Sequence, residues 1–164
     1  MSLFRRDRPN WMALAELLRV PNLPTAMADS LMGALIVSAD RSAGGFPAVA
    51  LVAAASALMY AGGVALGDVF DVADDARRRP SRPIPSRRVS LPMARLVSAE
   101  LLLLGSTAAW FAAFFAGTLW PGITALVLIA TIVAYSAWLK RTFLGPAAMG
   151  TCRALNVLLG VSVA

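Results

Sequence analysis

The hydrophobic positions of this chain form long blocks that carry almost no charge, separated by short polar or glycine- and proline-marked turns. A membrane-spanning helix needs about 20 mostly apolar residues, and five blocks reach or approach that length. The pattern therefore predicts an all-α fold, a polytopic transmembrane helical bundle. The five predicted spans are 23–39, 47–66, 93–119, 121–139 and 146–164.

The composition indicates a protein that lies in a lipid bilayer. Of the 164 residues 59% are hydrophobic, against roughly 45–50% in an ordinary soluble domain. Histidine is absent, which excludes Ser-His and Cys-His catalysis and histidine-based zinc or haem sites. Cys152 is the single cysteine, so no disulfide can form within the chain.

The basic residues predict the orientation in the membrane. If the spans alternate in direction, 13 of the 15 Lys and Arg residues lie on one side of the membrane. Arg41 lies on the other side, and Arg153 lies within the fifth span. By the positive-inside rule, the N-terminus and the long polar stretch 68–92 are cytoplasmic, and we expect a multi-pass protein of a bacterial inner membrane. The net charge of +6 is thus first a topology signal and second an attraction to membrane lipid. No nucleic-acid-binding motif accompanies it.

Three carboxylates end the second apolar block. Read as a helix, Asp68, Asp71 and Asp75 lie at i, i+3 and i+7 and share one face. Crowded carboxylates raise one another's pKa unless a cation lies among them, and Mg²⁺ is typically held by carboxylates and substrate phosphates. The spacing therefore predicts a metal site. The alternative is a solvated acidic helix end paired with the arginines at 77–79, which suits Asp74 better.

The same segment resembles a known family. The run Asp68-x-x-Asp71-x-x-x-Asp75, followed by Arg82-Pro-Ile-Pro-Ser-Arg-Arg-Val-Ser90, is similar to the first aspartate-rich motif and trailing loop of UbiA-type intramembrane prenyltransferases. Segments 18–25, 135–141 and 152–160 resemble the family in the same order along the chain. Two departures stand out: Gly67 occupies a position where the family usually has Asn, and Arg87 one where it usually has Gly.

The resemblance implies nine transmembrane helices around a cavity, two aspartate-rich motifs, and Mg²⁺-dependent transfer of a prenyl group from a polyprenyl diphosphate to an aromatic or other acceptor. No Asp or Glu follows Glu100, so the second acidic motif is not in these residues. We therefore expect 1–164 to be a single membrane domain, the N-terminal part of a longer UbiA-type domain. It would hold about five of the nine helices, with 68–92 as its active-site loop, and would be inactive alone.

The chemistry of an allylic diphosphate then assigns roles, because charge develops on the departing pyrophosphate and fixed cations stabilise it. The three aspartates are the expected metal ligands. Arg82, Lys140 and Arg153 are expected to face the phosphates, Tyr135 the prenyl cation and Ser136 the acceptor. The remaining expected substrate-binding residues are Asn156, one turn after Arg153, and Asn22 in the family-like segment 18–25.

Other functions remain open at this point. The chain could be a non-catalytic membrane helical protein built from this half-fold, or a cation-conducting protein that uses Asp29 and the Asp68 cluster. Conduction predicts acids strung along the bilayer depth, and Asp29 alone does not make such a series. The sequence leaves the acceptor, the prenyl length, the oligomeric state and the role of Asp29 open.

Overall fold

The computed structural model describes residues 11–38 and 45–163, and all regular secondary structure in these two ranges is helical. This confirms the all-α class. The seven α-helices are α1 (Trp11–Leu17), α2 (Leu23–Ser38), α3 (Gly45–Phe70), α4 (Val72–Arg78), α5 (Leu91–Ala116), α6 (Trp120–Ala137) and α7 (Gly145–Val161), with short 3₁₀ turns at Val20–Asn22 and Leu139–Arg141.

The predicted count of about five helices is wrong for the described residues. The five apolar blocks correspond to α2, α3, α5, α6 and α7, but α1 and α4 have only seven residues each and lie in flanking segments too short to form an apolar block. The predicted loop 68–92 is therefore partly helical. Three of the cations expected on the cytoplasmic side, Arg5, Arg6 and Arg8, fall outside the described residues, as does Arg41.

Three of the described helices, α3, α5 and α6, are long and apolar enough to cross a membrane. Of the five predicted spans, three are thus formed by helices that are long enough to cross a membrane. Helices α2 and α7 have 16 and 17 residues, and at 1.5 Å per residue a 16-residue helix is about 24 Å long. That is shorter than the hydrocarbon core of about 30 Å.

Glycines allow the long helices to approach one another closely. On α2 and α7, a Cβ at Gly33 would meet the backbone oxygen of Val157, and one at Gly160 would meet the backbone of Ser30. On α3 and α5, a Cβ at Gly105 would collide with Met59. Small residues at such crossings are typical of helix packing in membranes, where dispersion contacts rather than water exclusion hold helices together.

Two clusters of buried apolar residues organise the described chain. The larger one joins the long helices, with Met59, Leu128 and Leu159 among its members. The smaller one lies at the end of α3 and brings together residues from α1, α3, α5 and the segment after α4. Large side chains such as Phe114 (79% exposed) cover the outside, as expected for helices that face lipid. The second cluster places α1 and the segment 79–90 beside the polar end of α3.

Candidate active site

A cavity of about 870 Å³ opens at the polar end of α3. It runs from the charged residues at the helix ends toward an apolar wall that includes Met59, Leu128 and Ile132. The structure brings all ten site residues predicted from the sequence to this one cavity. They are Asn22, Asp68, Asp71, Asp75, Arg82, Tyr135, Ser136, Lys140, Arg153 and Asn156.

Asp68 and Asp75 lie side by side and share one cation. Nη1 of Arg82 donates to Oδ1 of Asp68 at 3.0 Å and to Oδ2 of Asp75 at 2.7 Å. The two aspartates are buried, at 9% and 6% exposure, and their separation of seven residues corresponds to two helical turns. Buried charges need a partner of opposite sign, so Arg82 stabilises two carboxylates that would otherwise repel each other.

Asp71 has a separate set of partners from the end of α6. Nζ of Lys140 donates to Oδ2 of Asp71 at 2.7 Å and to the backbone oxygen of Gly67 at 3.2 Å. Arg141 reaches Oδ1 of Asp71 at 3.4 Å and the backbone oxygen of Phe70 at 3.3 Å. Cations commonly satisfy the free carbonyl groups at a helix C-terminus. Lys140 and Arg141 therefore both cap α3 and neutralise Asp71.

The three aspartates do not come together as one ligand group. Among the described residues, no set of three or more acidic or cysteine side chains is arranged to hold a metal ion. Asp68 and Asp75 nevertheless present two oxygens within about 3 Å of a common point, the Arg82 nitrogen. Mg²⁺ is usually bound by one or two carboxylates, with water and substrate phosphates completing its octahedron. The residues present thus fit a two-carboxylate Mg²⁺ site, and the metal-ligand roles stay predictions.

Arg153 is paired across the α2–α7 interface. Its guanidinium donates to both carboxylate oxygens of Asp29 at 3.2–3.3 Å, which identifies the partner of Asp29 that the sequence left open. The Arg153 side chain remains 64% exposed, whereas that of Asp29 is 20% exposed. The guanidinium therefore faces the cavity while the carboxylate of Asp29 neutralises its charge.

The other predicted residues occupy different depths of the cavity. The amide of Asn156 is buried and donates to the backbone oxygen of Ala26 at 2.9 Å, an oxygen that also accepts from Ser56 at 2.6 Å. Ser136 is buried at 2% exposure, and Tyr135 is half-buried beside it. Asn156 thus fixes α7 to α2, which the sequence did not predict.

Four arginines that line the cavity were not among the predicted site residues, Arg19, Arg78, Arg79 and Arg141, and two of them lie close to the predicted aspartates. Arg19 lies before the first 3₁₀ turn with a left-handed φ of 47°, and its Nη2 lies 3.7 Å from Oδ1 of Asp68. The other is Arg141, adjacent to Lys140. Sequence reasoning assigned Arg19 and Arg141 to membrane topology alone. Their positions within the family-like segments 18–25 and 135–141 were the available signal.

The structure shows the surroundings of the two positions that depart from the family pattern. A Cβ at Gly67 would meet nothing within 4 Å, so the larger side chain usual in the family would have space there. Arg87 has a left-handed φ of 60°, a conformation that glycine adopts without strain. The glycine usual in the family would thus suit the left-handed backbone at this position, which arginine adopts in this chain.

Comparisons with known proteins agree with this geometry. The chain is 30% identical over 146 residues to a digeranylgeranylglyceryl phosphate synthase from Saccharolobus solfataricus, covering 88% of this chain and 49% of that protein. For the synthase of the same name from Methanococcoides burtonii the identity is 35% over 156 residues, covering 90% and 53%. The chain therefore spans about half the length of these curated relatives.

A solved structure and a family model extend the likeness. The structure, reported under the heading "Structural and mechanistic insights into the biosynthesis of Digeranylgeranylglyceryl phosphate synthase in membranes", superposes with a TM-score of 0.79 at 27% identity, over 92% of this chain and 52% of that one. The model of the UbiA prenyltransferase family matches residues 26–164. Because this match includes most of the chain, the protein belongs to the UbiA prenyltransferase family.

Proposed function

We propose that the full-length protein transfers a prenyl group from a polyprenyl diphosphate to an acceptor within the membrane. The observation that carries the proposal is the cavity, which joins a charged mouth to an apolar wall. Such a space suits a ligand with an anionic head and a hydrocarbon tail. Family membership supports the same reaction class.

The diphosphate would bind at the mouth of the cavity. Arg82 and Lys140 lie there as half-buried cations, each within 3.0 Å of aspartate oxygens. When the bond between the allylic carbon and the bridging oxygen breaks, its electron pair leaves with pyrophosphate. A guanidinium fork and an ammonium point charge at this mouth would stabilise the developing charge once they face the phosphates.

We expect Mg²⁺ to be required. Asp68 and Asp75 are the residues that would hold it, with Asp71 beside them. When bound, Mg²⁺ would neutralise charge on the diphosphate oxygens and so make pyrophosphate a better leaving group. Arg82 would then release the two carboxylates and turn toward the phosphates.

The tail would lie along the apolar wall formed by Met59, Leu128 and Ile132. Tyr135 lies between this wall and the charged mouth, so its ring can face the allylic carbon as positive charge develops there. The enclosing helices would also keep water from that carbon. Ser136, buried beside Tyr135, would lie near the acceptor.

The names of the relatives suggest an acceptor. A digeranylgeranylglyceryl phosphate carries two geranylgeranyl groups and a phosphate on glycerol, so we propose a singly prenylated glyceryl phosphate as acceptor in preference to an aromatic ring. The exposed Arg153 guanidinium could bind the phosphate of such an acceptor. Its nucleophilic hydroxyl would lose a proton as the new ether bond forms.

The relatives bear on the location of the protein, and the ion pair of Asp29 bears on the alternative function. The reported relatives are archaeal, so the expectation of a bacterial membrane has no support from them, and we retain only a membrane location with the cavity mouth cytoplasmic. Asp29, which motivated cation conduction, is paired with Arg153 and is therefore not a free acid within the bundle. A prenyl transfer site explains the contacts better.

The test is an assay of the full-length protein in lipid nanodiscs with labelled geranylgeranyl diphosphate. Geranylgeranylglyceryl phosphate and an aromatic acid such as 4-hydroxybenzoate would be offered as acceptors, with Mg²⁺ or with excess EDTA. We expect a labelled diether phosphate only with the first acceptor and Mg²⁺. Absence of any prenylated product with either acceptor would contradict the proposed reaction.

A further inference from the structure

A second arginine holds the segment that carries Arg82. Arg88 donates from Nη1 to Oε2 of Glu16 at 2.7 Å and from Nη2 to Oε1 at 3.2 Å. Nη2 also donates to the backbone oxygen of Ser81 at 2.7 Å, and Nε donates to Oγ of Ser86 at 3.1 Å. One guanidinium therefore connects α1 to residues on both sides of Arg82.

The connection continues to the backbone of Arg82 itself. Oγ of Ser86 donates to the backbone oxygen of Arg82 at 2.7 Å, and the backbone N–H of Ser86 donates to the same oxygen at 3.0 Å. Glu16, Arg88 and Ser86 thus form a continuous series of hydrogen bonds that ends at the backbone of Arg82. The side chain of Arg82 then extends to the two buried aspartates.

Apolar contacts lie beneath this series. Ile84 and Val89, from the same segment, are buried with Leu17 and Ala13 of α1. These contacts hold α1 against the segment, but the hydrophobic effect that drives them is non-directional. The two-point contact between carboxylate and guanidinium is directional, so it can fix the orientation of the turn.

We propose that Glu16 is a positioning residue for the diphosphate end of the cavity and acts through Arg88 on the backbone at Arg82. The inference rests on the proposed function. Arg82 has to leave two carboxylates and turn toward phosphate oxygens, so its side chain moves while its backbone must stay in place. Glu16 lies outside the aspartate-rich motif and lines no part of the cavity.

The expected effect is modest because the pair is exposed. The side chains of Arg88 and Glu16 are 39% and 50% exposed, and water screens such contacts. The hydrogen bonds that Arg88 donates to Glu16 raise the pKa of Arg88 above its ordinary value, so the guanidinium stays charged. Loss of the pair should change substrate affinity rather than the stability of the fold.

Kinetics of the full-length protein with geranylgeranyl diphosphate test the proposal. Glu16→Gln and Arg88→Gln should each raise KM about two- to five-fold with little change in kcat. The double variant should be no worse than the more impaired single one, because both changes break the same contact. Glu100→Gln removes the same kind of charge from α5 and is the matched control, with KM unchanged. A wild-type KM in Glu16→Gln, or independent effects in the double variant, would overturn the proposal.

A spectroscopic measurement separates this proposal from the proposed reaction. A nitroxide label at Ser81→Cys, in a Cys152→Ala background, reports the mobility of the turn without any turnover. Glu16→Gln should mobilise the label while Glu100→Gln leaves it unchanged. An unchanged spectrum in Glu16→Gln would contradict the positioning role, whether or not the protein transfers a prenyl group. A mobilised label in a protein without transferase activity would instead refute only the reaction.

Discussion

Lys140 donates a 2.7 Å hydrogen bond to Asp71, although 69 residues separate them in the sequence. The contact joins the 3₁₀ turn after α6 to the residue that follows α3, and the side chains are 13% and 29% exposed. Half-buried opposite charges interact more strongly than exposed ones. The charged mouth of the cavity is thus assembled from helix ends that are distant in the chain, with each aspartate neutralised.

Removal of this cation should impair diphosphate binding. In Lys140→Met, Asp71 keeps only the longer contact with Arg141, and the phosphates lose a positive partner. Because a hydrogen bond to a charged group contributes about 1.5–3 kcal/mol, we expect KM for geranylgeranyl diphosphate to rise about 10- to 100-fold. Lys140→Arg, which retains the charge, is the control and should be much less affected. An unchanged KM in Lys140→Met would show that Lys140 has only a structural role.

The close crossing of α2 and α7 predicts a position-specific loss of stability. Gly160→Leu would force a side chain into the backbone of Ser30, and overpacking of this kind typically costs about 1–3 kcal/mol. Gly150→Leu, in the same helix but with nothing within 4 Å of its added Cβ, is the matched control. Thermal unfolding in detergent should occur at a lower temperature only for Gly160→Leu. Equal melting temperatures for the two variants would refute the close packing.

The backbone at Arg87 predicts a substitution that does not destabilise the protein. With φ at 60°, a non-glycine residue is strained by about 1–2 kcal/mol, so Arg87→Gly should leave stability unchanged or raise it slightly. The comparison is Arg77→Gly within α4, where glycine costs about 1 kcal/mol. Unfolding in denaturant would measure both. A clear loss of stability in Arg87→Gly would mean that the Arg87 side chain makes a contact that outweighs the strain.

The long helices and the lining of the cavity could be predicted from the sequence. Apolar blocks mark α3, α5 and α6 because lipid requires uninterrupted hydrophobic length, and the motif from Asp68 to Ser90 identifies the charged mouth. Helices α1 and α4 were missed because seven residues give too short a pattern. The pairing of Arg153 with Asp29 joins residues 124 positions apart, and no local spacing encodes such a contact.

The proposed orientation predicts which connections are accessible from outside the cell. Ser81, in the segment after α4, should be cytoplasmic, and Leu119, between α5 and α6 and 66% exposed, should be external. Single cysteines at these positions, in a Cys152→Ala background, would be treated on intact cells with a membrane-impermeant maleimide. We expect modification of Leu119→Cys alone. Modification of Ser81→Cys with protection of Leu119→Cys would show that the orientation is the opposite of the one proposed.

The aspartates test the central claim most directly, because Asp74 provides a control within the same segment. Asp74 pairs with Arg78 at 3.1 Å, and its side chain is 54% exposed. Asp75, by contrast, is buried and forms an ion pair with Arg82. The measurement is Mg²⁺-dependent consumption of geranylgeranyl diphosphate by the full-length protein. We predict that Asp68→Asn and Asp75→Asn each abolish it while Asp74→Asn retains most of it. Equal losses at all three positions would indicate a diffuse acidic patch and contradict the account of a defined diphosphate site.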